Sequence, residues 1–319
     1  MKVYLIGHKG WIGQKYLDLF KKNNVECVYS LFRAESEEIL QDILAQEATH
    51  VLCCMGRTHG FRDGKEFTTI DYLQDHGRLH ENINDNLYSP LSLAMFCDSN
   101  NIHFTYIGTG CIFTYNEEYS IENMKKFTEK DTPNFFGSNY SVVKGFTDTL
   151  MKKTNALNLR IRMPITDEVH PRNFITKITN YERICSIPNS MTVLNDIIPV
   201  SFEMMQDKIT GTYNMVNPGR ISHNEILNAY KNIVDKDFTW KNFTQDLQRK
   251  ILLSERSNNF LCEKKLLSYK KIPDIHTSIN NILHKMKNNI SKNKDTDSIG
   301  SDDLVETVNS DGSIGWRVY

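Results

Sequence analysis

The chain has 319 residues, 38 Lys and Arg against 39 Asp and Glu, and a net charge of −1. That length can bury a large core, as one big domain or one domain plus a smaller lobe. The near balance of charge gives no global field for nucleic acid or an anionic membrane. The seven cysteines, at 27, 53, 54, 97, 111, 185 and 262, form an odd set without a C-x-x-C pair, which suits neither a disulfide framework nor a structural zinc site. With no charged-then-apolar leader and no long apolar run, the chain is expected to be soluble, cytoplasmic and free of metal.

Residues Val3–Ile6 read as a buried strand that enters a glycine-punctuated turn, Gly7-His-Lys-Gly10-Trp-Ile-Gly13, and then a helix over Ile12–Lys22. Gly7 permits a tight turn, Gly10 lets the backbone approach a pyrophosphate, and Gly13 lets the helix pack closely on the strand. Trp11 and Ile12 open the helix whose N-terminus would hold the anion. The spacing is G-x-x-G-x-x-G rather than the commoner G-x-G-x-x-G. Further strands are predicted over Val25–Tyr29, His50–Cys54, His103–Gly108 and Leu157–Arg162, and helices over Glu37–Gln46, Ile83–Ser99 and Tyr140–Lys153. This alternation predicts an α/β fold, a Rossmann doubly wound parallel sheet, with a smaller C-terminal substrate-binding lobe.

After Pro164 the alternation fades into shorter elements with turn residues, as in Asn217-Pro-Gly-Arg220, and Ser222-His-Asn-Glu225 reads as a capping box. The expected organisation is a cofactor domain over 1–163, with parts of the later chain returning to it, a substrate lobe over 164–290, and a flexible tail over 291–319.

Tyr140-Ser-Val-Val-Lys144 places a tyrosine and a lysine four apart on one helix face, and a strand ending Ile107-Gly-Thr109 precedes it. This order, glycine turn, threonine and then tyrosine helix, resembles the extended short-chain dehydrogenase/reductases, in which Thr109, Tyr140 and Lys144 would form the catalytic triad. A phenol near pKa 10 is a poor acid-base at neutral pH, and an adjacent ammonium favours its anion. The second strand leads into Cys27-Val-Tyr-Ser-Leu-Phe-Arg33 with no carboxylate at its end, and Arg33 can fork onto a 2′-phosphate. NADPH is therefore the expected cofactor, with NADH left open by nearby Glu35.

Longer strings narrow the likeness. Phe136–Lys144, Thr109-Gly-Cys-Ile-Phe113, Arg160-Ile-Arg-Met-Pro-Ile165, Pro171–Ile178, Ile187–Thr192 and Arg256-Ser-Asn-Asn259 closely resemble the nucleotide-rhamnose synthase 3,5-epimerase/4-reductases, and more distantly the dTDP-4-dehydrorhamnose reductases. The resemblance spans roughly Met1 to Ile290. It implies 3,5-epimerisation of UDP-4-keto-6-deoxy-glucose with Cys111 as base and Lys177 as partner acid, followed by NADPH-dependent reduction to UDP-L-rhamnose. It further implies Arg256, Asn258 and Asn259 at the nucleotide, Arg172 and Asn173 at the sugar, and Asn86 as an organising residue. One departure stands out: Cys53-Cys-Met-Gly56 replaces the usual Asn-Ala-Ala-Gly, keeping only Gly56 as a cofactor contact. A separate 4,6-dehydratase would supply the substrate, and a homodimer is expected. The alternatives are a reductase without epimerase activity and a non-catalytic NADP-binding regulatory subunit.

Overall fold

Apolar alternation in Lys2-Val-Tyr-Leu-Ile6 sends Val3 and Leu5 to one face and Tyr4 and Ile6 to the other, so this strand must be covered on both sides. The computed structural model, which describes residues 1–297, provides that cover. It opens with β1 (Lys2–Ile6), α1 (Trp11–Lys22), β2 (Glu26–Tyr29), α2 (Glu37–Ala45) and β3 (His50–Cys53). A hairpin of Gly60–Arg62 with Lys65–Phe67 and a 3₁₀ turn at Ile70–Gln74 lead into α3 (Leu79–Ile83). That helix continues through a π-helical turn (Asn84–Tyr88) into α4 (Ser89–Ser99). Next come β4 (His103–Thr109), α5 (Asn139–Met151), β5 (Leu157–Ile161), α6 (Phe174–Thr179), α7 (Leu194–Gln206) and β6 (Gly211–Asn214).

The six strands are all parallel, in the spatial order β6-β5-β4-β3-β1-β2. Strand order reverses between β1 and β3, whose ends meet where Ile6 pairs with Cys53. In sheets of this kind ligands lie beyond the carboxyl ends of the strands at such a reversal. One face packs Val3, Leu5, Leu52 and Leu159 against α1 and α7. The opposite face packs Tyr4, Ile6, Val51 and Phe104 against α2 and α4.

The returning parts of the later chain are α7 and β6. Both escape the apolar pattern, because Pro199 interrupts the helical reading of α7 and β6 is the short, polar Gly-Thr-Tyr-Asn. Tyr16 of α1 and Ser201 of α7 share a buried hydrogen bond of 2.6 Å that ties the two helices. A separate core joins Ile175 and Ile178 of α6 to Ile226 and Leu227 of α8 (His223–Ile233). Two short helices, α9 (Gln245–Ile251) and α10 (Lys264–Tyr269), precede α11 (Ile275–Asp297), whose Ile279, Ile282 and Leu283 complete that core. Ser222 and Glu225 form the capping box of α8. Helix α11 runs past Ile290 to Asp297, so a tail beginning at residue 291 is corrected there to helix. The rest of the expected tail, 298–319, lies outside the described residues. Among the described residues no helix is long and apolar enough to cross a membrane.

Candidate active site

The glycine turn is built by contacts too close for side chains. Gly7 has φ +84°, and a Cβ on Gly13 would stand 2.2 Å from the Gly7 carbonyl oxygen. Gly10 donates its N–H to that same oxygen at 3.0 Å and caps α1 without a side chain. No acid occupies the first turn of α1, while Lys21 and Lys22 occupy its last. The helix therefore presents free N–H groups and a positive dipole end beside the β1–β3 crevice. Trp11, its first residue, donates its indole N–H to Glu168 and stacks on His170 at 5.2 Å. Ile12 packs against the core of the α1 face.

The loop after β3 is anchored by a residue of the π turn. Asn86, fully buried, accepts from Arg57 N and donates to Arg57 O, both at 3.0 Å. Its Oδ1 lies 3.6 Å from where a Cβ on Gly56 would fall, an ordinary contact distance that places Gly56 directly beside Asn86. Asn86 thus holds the loop that borders the crevice. The π turn that carries Asn86 is a feature frequent at functional sites.

Helix α5 starts at Ser138, whose hydroxyl accepts from Ser141 N at 3.1 Å. Its inner stripe then sets Tyr140, Lys144 and Asp148 toward the sheet at successive turns. Tyr140 lies beside Thr109 at the end of β4, and burial with the nearby Cys111 sulfur raises its phenol well above the ordinary value. Lys144 is 3% exposed and donates to the Tyr106 hydroxyl. Burial lowers its ammonium from 10.5 to about 8, opposed by Cys53, Asp148 and Cys111. Thr109 Oγ1 also accepts from Cys111 N at 3.0 Å, so threonine, tyrosine and cysteine share one strand end.

Lys177 stands on α6 in the field of Arg172 and Arg256, and burial, with these two cations second, brings it from 10.5 down to about 8. His59 is exposed to the same field: burial, then Arg172, Arg57 and Lys177, lower it to about 4. Arg256 is bound to Asp71 through both of its terminal nitrogens. Burial would raise the Asp71 carboxyl, but Arg256 and the hydroxyls of Thr69 and Ser254 outweigh it and hold it below the usual range.

Three residues expected at the substrate are committed elsewhere. Asn173 is fully buried as the N-cap of α6, accepting from Ile175 N and donating to Thr166 O at 2.9 Å. Asn259 donates to the Gly110 and Phe113 carbonyls, both at 2.9 Å, and Asn258 accepts from Asn189 at 2.8 Å. Of the three, Asn259 lies beneath the Thr109–Cys111 turn, through its bonds to Gly110 and Phe113. Buried and ligand-facing asparagines look alike in one sequence, so these internal bonds leave no local mark. Arg33 is exposed and paired with Glu35. Asp71, His59 and Arg162 were missed; only Arg162 left a signal, as a charge inside the apolar run Leu157–Ile165.

The parallel sheet, the glycine turn and the tyrosine–lysine helix aimed at a threonine on a strand end define a Rossmann-type protein of the extended short-chain dehydrogenase/reductase class. No family model matches the chain. It is 49% identical over 291 residues to protein L780 of Acanthamoeba polyphaga mimivirus, covering 90% of this chain and 99% of that one. The crystal structure of the L780 UDP-rhamnose synthase superposes with a TM-score of 0.85 over 89% of this chain and 99% of that one. A bifunctional dTDP-4-dehydrorhamnose 3,5-epimerase/reductase of Arabidopsis thaliana is 39% identical, covering 82% of this chain and 85% of that protein. The chain belongs to the nucleotide-rhamnose synthase 3,5-epimerase/4-reductase family. A dTDP-4-dehydrorhamnose reductase of Clostridium acetobutylicum, 16% identical with a TM-score of 0.73 over 89% of this chain and 98% of that one, shares the fold.

Proposed function

We propose that this protein converts UDP-4-keto-6-deoxy-D-glucose to UDP-L-rhamnose by 3,5-epimerisation followed by NADPH-dependent reduction at C4. The observation that carries the reading is the meeting of Thr109, Cys111 and Tyr140 at one strand end, in a chain 49% identical to L780. A carbonyl held by the Thr109 and Tyr140 hydroxyls acidifies the C–H bonds on either side of it. Cys111 then takes a proton: the C–H bond breaks, its pair moves into an enolate on O4, and an S–H bond forms. Lys177, lowered to about 8, can return a proton near neutral pH. In the reductive step Tyr140, held as a phenol by burial, donates its proton to O4.

The glycine cradle has the shape a pyrophosphate needs, with Gly7, Gly10, Trp11, Ile12 and Gly13 forming the turn and helix start, Gly56 on the facing loop, and Lys144 beneath Tyr140. NADPH, when bound, supplies the hydride for C4. Arg33 would meet its 2′-phosphate, on release from Glu35. Arg172 and Arg256, whose charges both reach Lys177, are the cations we assign to the sugar and diphosphate.

A 4,6-dehydratase would supply the substrate. Arabidopsis trifunctional proteins of which this chain covers about 40% carry a dehydratase in the same polypeptide. Leu79, Ile83, Tyr88 and Met95 on α3–α4 and Phe146 and Leu150 on α5 are exposed apolar side chains on adjacent helices, a face suited to a second copy in a homodimer. Seven free cysteines fit a reducing, cytoplasmic setting.

The test is NADPH oxidation with UDP-4-keto-6-deoxy-glucose as the only sugar. Turnover without any added epimerase supports the bifunctional reading. Turnover only when a 3,5-epimerase is added reduces the protein to a reductase, and NADPH binding with no turnover in either case points to a regulatory subunit.

A further inference from the structure

Arg160 in β5 and Arg162 just past its end both enter the protein interior, and they are treated differently. Arg160 is fully buried and bonded through Nε and a terminal nitrogen to both carboxylate oxygens of Asp148, at 2.8 and 2.6 Å. Arg162, 1% exposed, forms no ion pair with any carboxylate among the described residues. Its terminal nitrogens reach neutral acceptors: Ser257 Oγ at 2.8 Å, Ser257 O at 2.6 Å, Gly110 O at 3.4 Å and Asn189 Oδ1. Its Nε has no partner in the interior. A buried cation without a counter-anion is costly, and here the one remaining contact is the Cys111 sulfur, 3.7 Å from a terminal nitrogen.

We propose that Arg162 is the positioning residue for Cys111, supplying the charge that balances the Cys111 thiolate and the N–H that aims it. This rests on the assignment of Cys111 as the epimerisation base. Arg162 cannot touch the sugar, being buried behind the Thr109–Cys111 turn, so it acts through the sulfur alone. In the anionic form that a base requires, the Cys111 sulfur gives the guanidinium a partner. When it takes a proton from the sugar, the S–H bond replaces that ion pair and the enolate on O4 carries the electrons. Met163, between Arg162 and Pro164, has φ +43°, in the left-handed region.

Other titratable groups facing this pair are few. Tyr140 and Lys144 come from α5, with Tyr140 protonated by burial and by Cys111. Tyr115 lies near the guanidinium, with burial raising its phenol. His223, at the start of α8, is lowered to about 4 by burial and then by Arg162, so it is neutral at working pH. Lys144 is thus the one other cation that could serve Cys111, and it makes its hydrogen bond to Tyr106.

The test is the pH profile of Cys111 alkylation by iodoacetamide in the full chain, followed by peptide mass spectrometry. Against wild type, Arg162→Met shifts the profile to higher pH and slows alkylation near neutrality about tenfold, whereas Arg162→Lys, which keeps the charge, shifts it less. Should Arg162→Met fail to fold, the wild-type protein minus Cys111→Ser is compared by thiolate absorbance at about 240 nm. A thiolate band near neutral pH is expected, and no band overturns the proposal. An unmoved profile in a folded Arg162→Met, or a larger shift in Lys144→Met, also overturns it. The underlying assignment has its own readout: if Cys111→Ala still exchanges sugar protons with solvent, Cys111 is not the base, whatever the alkylation shows.

Discussion

Asn86 grips Arg57 at both ends of its peptide unit, accepting from its N–H and donating to its carbonyl at 3.0 Å. The pair fastens the loop after β3 to the π turn, and a second donation, to Asn82 at 2.9 Å, uses the other amide hydrogen. Asn86→Ala leaves the Arg57 backbone groups without these partners at a cost of about 1–3 kcal/mol. The expected result is a lower melting temperature together with weaker NADPH binding, measured by thermal scan and cofactor fluorescence. Full thermal stability with intact binding would remove the organising role.

Gly13→Ala puts a methyl group 2.2 Å from the Gly7 carbonyl oxygen, against backbone that cannot swing away. Either α1 moves off the strand or the turn opens. A loss of NADPH affinity of at least about tenfold is expected, alongside destabilisation of about 1–3 kcal/mol. Equilibrium titration and urea unfolding check the two effects separately.

Tyr140→Phe should lower the reduction rate by about 10²–10⁴-fold with little change in NADPH affinity, because it removes only the proton donor. Lys144→Met should abolish turnover while stabilising the cofactor-free protein. The sign follows from its lowered value: between about 8 and 10.5 the unfolded lysine holds a proton that the folded one has lost, so stability contributed by this group rises with pH over that window. Below about 8 both states are charged and burial of the ammonium counts against folding. The difference between wild-type and Lys144→Met stability should therefore be largest below about 8 and shrink above it, measured by urea unfolding across pH.

How much of this was legible varied with the physics. The parallel strands up to Leu157 and the helices between them follow from apolar alternation and glycine placement, and Tyr140 with Lys144 from helical spacing, since each leaves a local mark, whereas the short hairpin Gly60–Phe67 and the 3₁₀ turn Ile70–Gln74 leave none. The role of Asn173 as a cap was hidden because Asn-Phe-Ile reads equally as a ligand contact, and only the fold shows its oxygen turned back to Ile175 N. The Arg256–Asp71 pair joins residues far apart in sequence, so nothing near Arg256 announces it. The same holds for Arg162 and Cys111, brought together by neighbouring strands β4 and β5.

Arg33 is paired with Glu35, so Glu35→Ala should free it and lower the KM for NADPH. Arg33→Ala should raise the KM for NADPH and leave that for NADH nearly unchanged. Steady-state kinetics with both cofactors decide this, and equal effects on both would show that Arg33 does not meet a 2′-phosphate.

The measurement that bears most directly on the bifunctional assignment is proton NMR of UDP-4-keto-6-deoxy-glucose incubated with the protein in deuterated water, before and after NADPH is added. The account predicts deuterium at C3 and C5 without any cofactor, then UDP-L-rhamnose and matching NADPH oxidation once it is present. Absence of deuterium at both carbons, with active protein that still reduces a pre-epimerised sugar, would contradict it.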